Sequence, residues 1–242
     1  MRLQIEVTTS ASELPWASVL RPGRSLLYDL LAAGAPDLGR RLHDGGLGPH
    51  GMVPFGHGPP VFPGAVRRPG TYAAGGHGVI AAGSPVLEIV QAWADVLAGR
   101  ELIDWGGVAL HVRKIVPVDP PEFAAGRARL RTVTPVVIKG SGRDSDGVRQ
   151  TRQAWLLPAE PEFAAYFMRN LRRKADTLGL DPDVELDAIT WVGPKRSFAV
   201  SDGLKPGAAI EVELHGAPPT LQAIWSWGLG QANPAGFGWV AA

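Results

Sequence analysis

The sequence predicts an α+β protein of two tandem ferredoxin-like halves, the second with a degraded last helix and a C-terminal Gly-rich loop. Three observations carry that expectation. Residues 1–118 read in the order strand, helix, strand, strand, helix, strand, the ferredoxin-like pattern. A Pro-rich joint, Pro117 to Pro121, then interrupts the chain. Beyond it a strand and a strong helix begin the same pattern again, so the domains are read as 1–118 and 122–242.

Element by element, Leu3, Ile5 and Val7 alternate with polar residues and predict an opening strand. Ser25 reads as an N-cap for a short helix over Leu26 to Ala33, closed by Gly34. Pro36 to Asp44 is a second helical piece with Leu38 and Leu42 four apart and Gly45-Gly46 as its stop. A loop over Gly45 to Pro63 holds one short strand near Met52 to Phe55, and residues 71–82 are compatible with a strand. Ser84 caps a helix whose apolar stripe is Val86, Ile89, Val90, Trp93 and Leu97. Val108, Leu110 and Val112 alternate as a closing strand.

In the second half, Arg127 to Ile138 reads as one strand and residues 140–153 as a charged loop. Pro161 opens a helix to about Leu178, with Phe163, Phe167 and Leu171 on one face. Ile189 to Val192, Phe198 to Val200, Ile210 to Leu214 and Ala223 to Trp227 are candidate strands, with no second good helix among them.

Composition narrows the chemistry. The chain has no cysteine, which excludes disulfides, thiolate nucleophiles and Cys-based zinc sites. Its formal net charge is +1, so an anionic partner must be met by local clusters of cations. No apolar run reaches membrane-spanning length, and the N-terminus lacks the apolar core of a signal peptide. A cytoplasmic protein without a membrane partner is expected.

Cations do cluster. Arg127, Arg129 and Arg131 share one face of the predicted strand. Residues 127–152 hold seven Lys or Arg, Lys139 among them, against Asp144 and Asp146. Arg169, Arg172, Arg173 and Lys174 form a basic end to the long helix. Like charges at strand spacing repel unless an anion lies across them, and a polyanion such as RNA suits.

Two further features stand out. Four glycines, Gly228, Gly230, Gly236 and Gly238, sit in G-L-G-Q-A-N-P-A-G-F-G. A phosphate-binding loop of the dinucleotide type opens a long helix, for which the four residues after Gly238 leave no room. Close backbone approach to an RNA phosphate remains the expectation, with a plain turn as the alternative. Among six histidines, His43 ends a helix beside Asp44 and a glycine hinge, with Arg40 and Arg41 within one turn. His43, His50 and His57 recur every seven residues, but glycine-rich loops with few carboxylates hold metals poorly, so no metal site is expected. No G-x-S-x-G elbow or H-E-x-x-H motif is present.

Four stretches together resemble a known family. Leu42-His43-Asp44-Gly45 followed by Val53-Pro54-Phe55, Val133 to Val137, Phe163 through Asn170-Leu171-Arg172-Arg173-Lys174, and the terminal G-x-G…G-F-G resemble the CRISPR-associated endoribonuclease of the RAMP superfamily that processes precursor CRISPR RNA. The resemblance implies two ferredoxin-like (RRM-like) domains with RNA across them. It implies cleavage of a repeat transcript into guide RNAs without metal or cofactor. The histidine matching His43 acts as general acid or base in that family, and a tyrosine matching Tyr28 assists. The frequent third member, a lysine after the histidine, has no counterpart, since no lysine precedes Lys114. Arg40 or Arg41, His50 and a second-domain cation stand open for that slot. RNA is the implied partner, together with other subunits of a CRISPR interference complex. The alternative is an RNA-binding RAMP subunit that does not cleave.

Overall fold

The computed structural model describes residues 1–140, 155–200 and 203–241. The chain divides into two compact units, the first comprising Met1–Pro121 with Pro234–Gly236, the second Glu122–Asn233 with Phe237–Ala242. Both are mixed α/β with antiparallel sheets, consistent with tandem ferredoxin-like folds. No described helix is long and apolar enough to cross a membrane.

The first unit runs β1 (Arg2–Thr9), β2 (Glu13–Leu14), α1 (Arg21–Gly34), α2 (Pro36–Asp44), β3 (Gly56–His57), β4 (Tyr72–Ala73), β5 (Gly76–Gly83), α3 (Leu87–Ala98), β6 (Leu102–Asp104) and β7 (Ala109–Val118). Its main sheet is antiparallel in the order β3-β5-β1-β7-β6, with a bulge in β1 between Glu6 and Val7. Leu3, Ile5 and Val7 are buried, as alternation predicts, and meet Leu27, Leu30, Leu31, Ile89, Val90 and Trp93 from the helices. The Trp93 indole N–H donates to the Leu27 carbonyl at 3.0 Å, tying α3 to α1.

Here α1 starts four residues before the predicted N-cap. Pro22 occupies the first turn, where its missing N–H has no helical partner to lose, and Ser25 lies inside the helix. The predicted strand at Met52 to Phe55 is displaced to Gly56–His57. Ser84 does not occupy the cap position, which is Val86. Its hydroxyl instead accepts the Val86 N–H at 3.0 Å and donates to the Pro54 carbonyl at 2.5 Å.

The second unit runs β8 (Arg127–Arg131), β9 (Ile138–Lys139), β10 (Trp155–Leu156), α4 (Phe163–Thr177), β11 (Val184–Val200), β12 (Gly203–Gly216) and α5 (Pro218–Trp227). Its sheet is antiparallel, β11-β12-β8, with β9 and β10 paired separately. The strand expected over Arg127 to Ile138 ends at Arg131: Thr132 N still donates to Ile210 O on β12, but Val133 N turns to Trp239 O. The charged loop expected over residues 140–153 lies, from residue 141 on, outside the described residues. Residues 193–197 lie between two predicted strands, Ile189 to Val192 and Phe198 to Val200. The structure instead carries one strand through them, with a register shift between Val192 and Lys195.

The larger correction is α5. Ala223 to Trp227 was expected as a strand, and the degraded last helix is in fact ten residues long. Two prolines start it, and Thr220, Leu221, Ile224, Trp225, Ser226 and Trp227 are all buried. A helix buried on nearly every side shows no 3.6-residue stripe, so its sequence cannot be told from a buried strand.

A glycine in α1 is fixed by packing. A Cβ on Gly23 would lie 2.6 Å from Nδ1 and 2.7 Å from Nε2 of the buried His57 ring. Alanine gains about 1 kcal/mol of helix propensity over glycine, while overpacking a closed core costs about 1–3 kcal/mol. Gly23→Ala is therefore expected to lower stability by up to about 2 kcal/mol, read as a lower urea midpoint at unchanged slope.

Candidate functional site

α1 and α2 carry the candidate histidine. His43 stands in the last turn of α2 with its side chain 69% exposed, and its Nδ1 lies 3.2 Å from Asp44 Oδ1. A column of rings runs outward to it from the core. Trp93 meets Phe55 edge to face at 5.4 Å between centroids, Phe55 meets Tyr28 at 5.3 Å, and Tyr28 meets His43 at 5.7 Å. Each such pair contributes about 0.5–1.5 kcal/mol beyond burial when well packed. The structure thus brings His43 and Tyr28 together through packing.

Tyr28 is half-buried, and desolvation raises its pKa while the charge of Arg24 lowers it. The hydroxyl is therefore protonated near neutral pH and is a hydrogen-bond donor. The Arg24 guanidinium lies over the same ring, Cζ 5.8 Å from its centre. Arg40 pairs with Asp37, one turn back along α2. His50 is exposed. By contrast, His57 is 1% exposed in β3, its Nδ1 3.0 Å from the Gly58 carbonyl oxygen, and burial pushes its pKa down to about 4. The seven-residue spacing thus joins two exposed histidines to a core one. Among the described residues no group of three His, Cys, Asp or Glu side chains is placed to hold a metal ion.

In the second unit, Arg127, Arg129 and Arg131 are exposed on one face of β8, while Ala128 and Leu130 are buried. Their neighbours are on β12, where Glu211 opposes Arg131 and Glu213 opposes Arg129. Arg129 donates from Nε at 2.9 Å and from Nη2 at 2.5 Å to Glu211 Oε1. That hydrogen bond holds the Glu211 carboxyl below its ordinary value. Arg131 lies over the Trp191 ring at 4.3 Å. The mutual repulsion that pointed to an anion is thus partly met by the protein's own carboxylates. A partner strand distant in sequence supplies them. Lys139 is half-buried in β9, and Arg172 and Arg173 are exposed on α4.

Lys174, grouped with those arginines in sequence, behaves otherwise. It is 1% exposed, and its Nζ donates to the Gly228 carbonyl at 2.5 Å and to Asn233 Oδ1 at 2.7 Å. The Asn233 amide passes this on, donating from Nδ2 to Leu229 O at 3.0 Å and Phe237 O at 2.9 Å. No carboxylate among the described residues pairs with the amine, and burial alone pushes its pKa well below the usual lysine range.

That hub closes the glycine loop on itself. Leu229 N donates to Gly238 O at 2.8 Å, Gly238 N to Pro135 O at 2.8 Å, and Gln231 N to Val137 O at 3.0 Å. Gly228 (φ 102°) and Gly238 (φ 63°) take left-handed backbone, and a Cβ on Gly238 would collide with Leu229 O. A Cβ on Gly230 would lie 2.6 Å from Val136 Cγ1, and one on Gly236 2.9 Å from His57 Cε1. The expectation that Gly228, Gly230, Gly236 and Gly238 leave open backbone for RNA phosphates is corrected accordingly. All four are buried, and the space beside them is filled by protein atoms.

The family model for CRISPR associated protein Cas6, C-terminal, matches residues 118–242. No curated protein matches the sequence. The chain is similar to three solved structures over nearly their whole lengths. A Cas6-related gene product from Pyrococcus furiosus is 15% identical with a TM-score of 0.78, covering 100% of this chain and 97% of its own. A RAMP protein described as binding different RNA substrates is 14% identical with a TM-score of 0.81, covering 99% and 98%. A CRISPR associated protein Cas6 is 20% identical with a TM-score of 0.75, covering 100% and 98%. At such identities the likeness establishes the fold.

Two stability measurements test the loop. Gly238→Ala is expected to cost at least about 2 kcal/mol, whereas Gly99→Ala, with no heavy atom closer than 3.9 Å, stays within about 0.5 kcal/mol. Equal midpoints for the two variants would show that the loop is not closed. The buried amine gives a pH slope. In the window between the lowered folded value and the ordinary unfolded one, the unfolded chain binds the proton and the native protein does not, so stability rises with pH. As pH rises toward the ordinary lysine value of 10.5, wild type should gain stability relative to Lys174→Met, by at most about 1.4 kcal/mol per pH unit. Parallel profiles would place a charged ammonium in the core.

Proposed function

The chain belongs to the Cas6 family of CRISPR-associated RNA-processing proteins, and from that membership we propose that it is a metal-independent endoribonuclease that cuts CRISPR repeat transcripts into guide RNAs. The observation that carries the reading is the exposed His43 imidazole seated against Tyr28 at the outer end of the aromatic column. Such a pair suits intramolecular transesterification. The ribose 2′-oxygen attacks the adjacent phosphorus as its proton passes to a base. The bond from phosphorus to the 5′-oxygen breaks, and that oxygen takes up a proton.

The products are a 2′,3′-cyclic phosphate and a 5′-hydroxyl end. His43 serves in proton transfer, for which imidazole is suited in both directions near neutral pH. The protonated Tyr28 hydroxyl orients a phosphate oxygen by donating to it. Cations on the second unit, Arg127, Arg131, Arg172 and Arg173, are exposed and contact the RNA backbone in this reading. Arg129, held by Glu211, contributes less.

Single-turnover cleavage of repeat RNA in EDTA, with the ends mapped, tests the assignment. His43→Ala is expected to slow cutting by about 10²–10⁴-fold with binding little changed. Tyr28→Phe should lose less, and a 2′-deoxy nucleotide before the cut should abolish cleavage. A His43→Ala variant that cuts at the wild-type rate overturns the site. Wild-type protein that binds the repeat without cutting it identifies a non-cleaving RNA-binding subunit, and rescue of EDTA-treated protein by magnesium identifies a metal-dependent one.

A further inference from the structure

We propose that Arg24 is the cation that meets the charge developing on the phosphate during cleavage, an inference that rests on the reading of His43 and Tyr28 above. Attack at phosphorus builds negative charge on the non-bridging oxygens. A fixed or nearby cation facing them lowers the barrier, and removing one such donor typically slows a reaction by about 10²–10³-fold. Neither the imidazole, occupied with the proton, nor the tyrosine hydroxyl supplies a permanent positive charge. A guanidinium does at every working pH.

Arg24 is placed for this. It lies one turn before Tyr28 on α1, and residues four apart share a helix face. Its Cζ is 5.8 Å from the Tyr28 ring centre, and the His43 ring is 5.7 Å from the same centre. Arginine and histidine therefore flank one tyrosine, though they come from different helices. Among the described residues Arg24 enters no ion pair, so its charge is uncommitted, and it is exposed to solvent on a long stem that can swing from the ring face to a phosphate. Its field reaches Tyr28, whose pKa it lowers against the rise caused by burial.

The other arginines near His43 fit less well. Arg40 turns back along α2 to the Asp37 carboxylate. Arg41 is two residues before His43, a spacing that puts side chains on different faces of a helix. The placement of Arg24 also depends on α1 beginning at Arg21, since a helix starting at Leu26 would leave this residue in a loop.

Single-turnover cleavage of repeat RNA by Arg24→Gln, Arg24→Lys, Arg40→Gln and Arg41→Gln tests the proposal, alongside Tyr28→Ala and the Arg24→Gln, Tyr28→Ala double variant. Affinity is read separately with a 2′-deoxy, non-cleavable repeat. Arg24→Gln should slow the chemical step by about 10²-fold, with a much smaller change in the dissociation constant for the analogue. Arg24→Lys should recover most of the rate, because the charge is restored. The loss from Arg24→Gln should persist in the Tyr28→Ala background. If it vanishes there, Arg24 only holds the ring and the proposal is overturned. A wild-type rate for Arg24→Gln, or a larger loss in Arg40→Gln or Arg41→Gln, overturns it as well while leaving His43 in place. Wild-type protein that does not cleave at all overturns the parent reading and this one together.

Discussion

The column of rings from Trp93 through Phe55 and Tyr28 to His43 is the contact on which the candidate site depends. His43 belongs to a nine-residue helix with only Gly39 and Leu42 buried, too short to hold a side chain in place by itself. Edge-to-face packing against a half-buried Tyr28 gives the imidazole a surface to rest on, and Phe55 and Trp93 fix that surface to the core. Each ring comes from a different element: α3, the segment before β3, α1 and α2. The site is thus a consequence of how α1 and α3 cover the sheet.

The second unit has a different organising element. A lysine amine with no carboxylate partner among the described residues is taken out of water to hold one carbonyl and one amide, and that amide holds two more carbonyls. Removing a charge from solvent in this way is expensive, which shifts the amine toward its neutral form, and its hydrogen bonds offset part of the cost. The glycines follow from this arrangement. With the loop ends drawn together around Asn233, no room is left for side chains at Gly228 or Gly238. Glycine clusters of this kind attract a ligand interpretation, yet the amides of Gly228, Leu229, Gln231 and Gly238 already serve carbonyls of the same chain.

Electrostatics separates surface arginines in the same way. The three on β8 look alike in sequence, but Arg129 is committed to Glu211 and Arg131 rests on Trp191. On α4, Arg172 and Arg173 remain in solvent while the adjacent Lys174 is buried, one helical residue being enough to turn a side chain from water to core.

Local pattern alone determined a good deal of this protein. Alternation in Leu3, Ile5 and Val7, the stripes of α3 and α4, and the glycine stop after Asp44 follow from side-chain period and backbone freedom, which act over a few residues. His43 and Tyr28 entered as candidates through a family resemblance, and the structure packs their rings together. Only tertiary structure decided the rest. The helix α5 is buried on nearly all sides and shows no period to read. The carboxylate that answers Arg129 and the hub that gathers Lys174, Gly228 and Gly238 involve partners set by chain crossing. Such partners lie 54 to 82 residues away. Spacing along a chain specifies which face a residue takes, whereas its partner, and hence its charge state and chemistry, depends on which other segment the fold lays against that face.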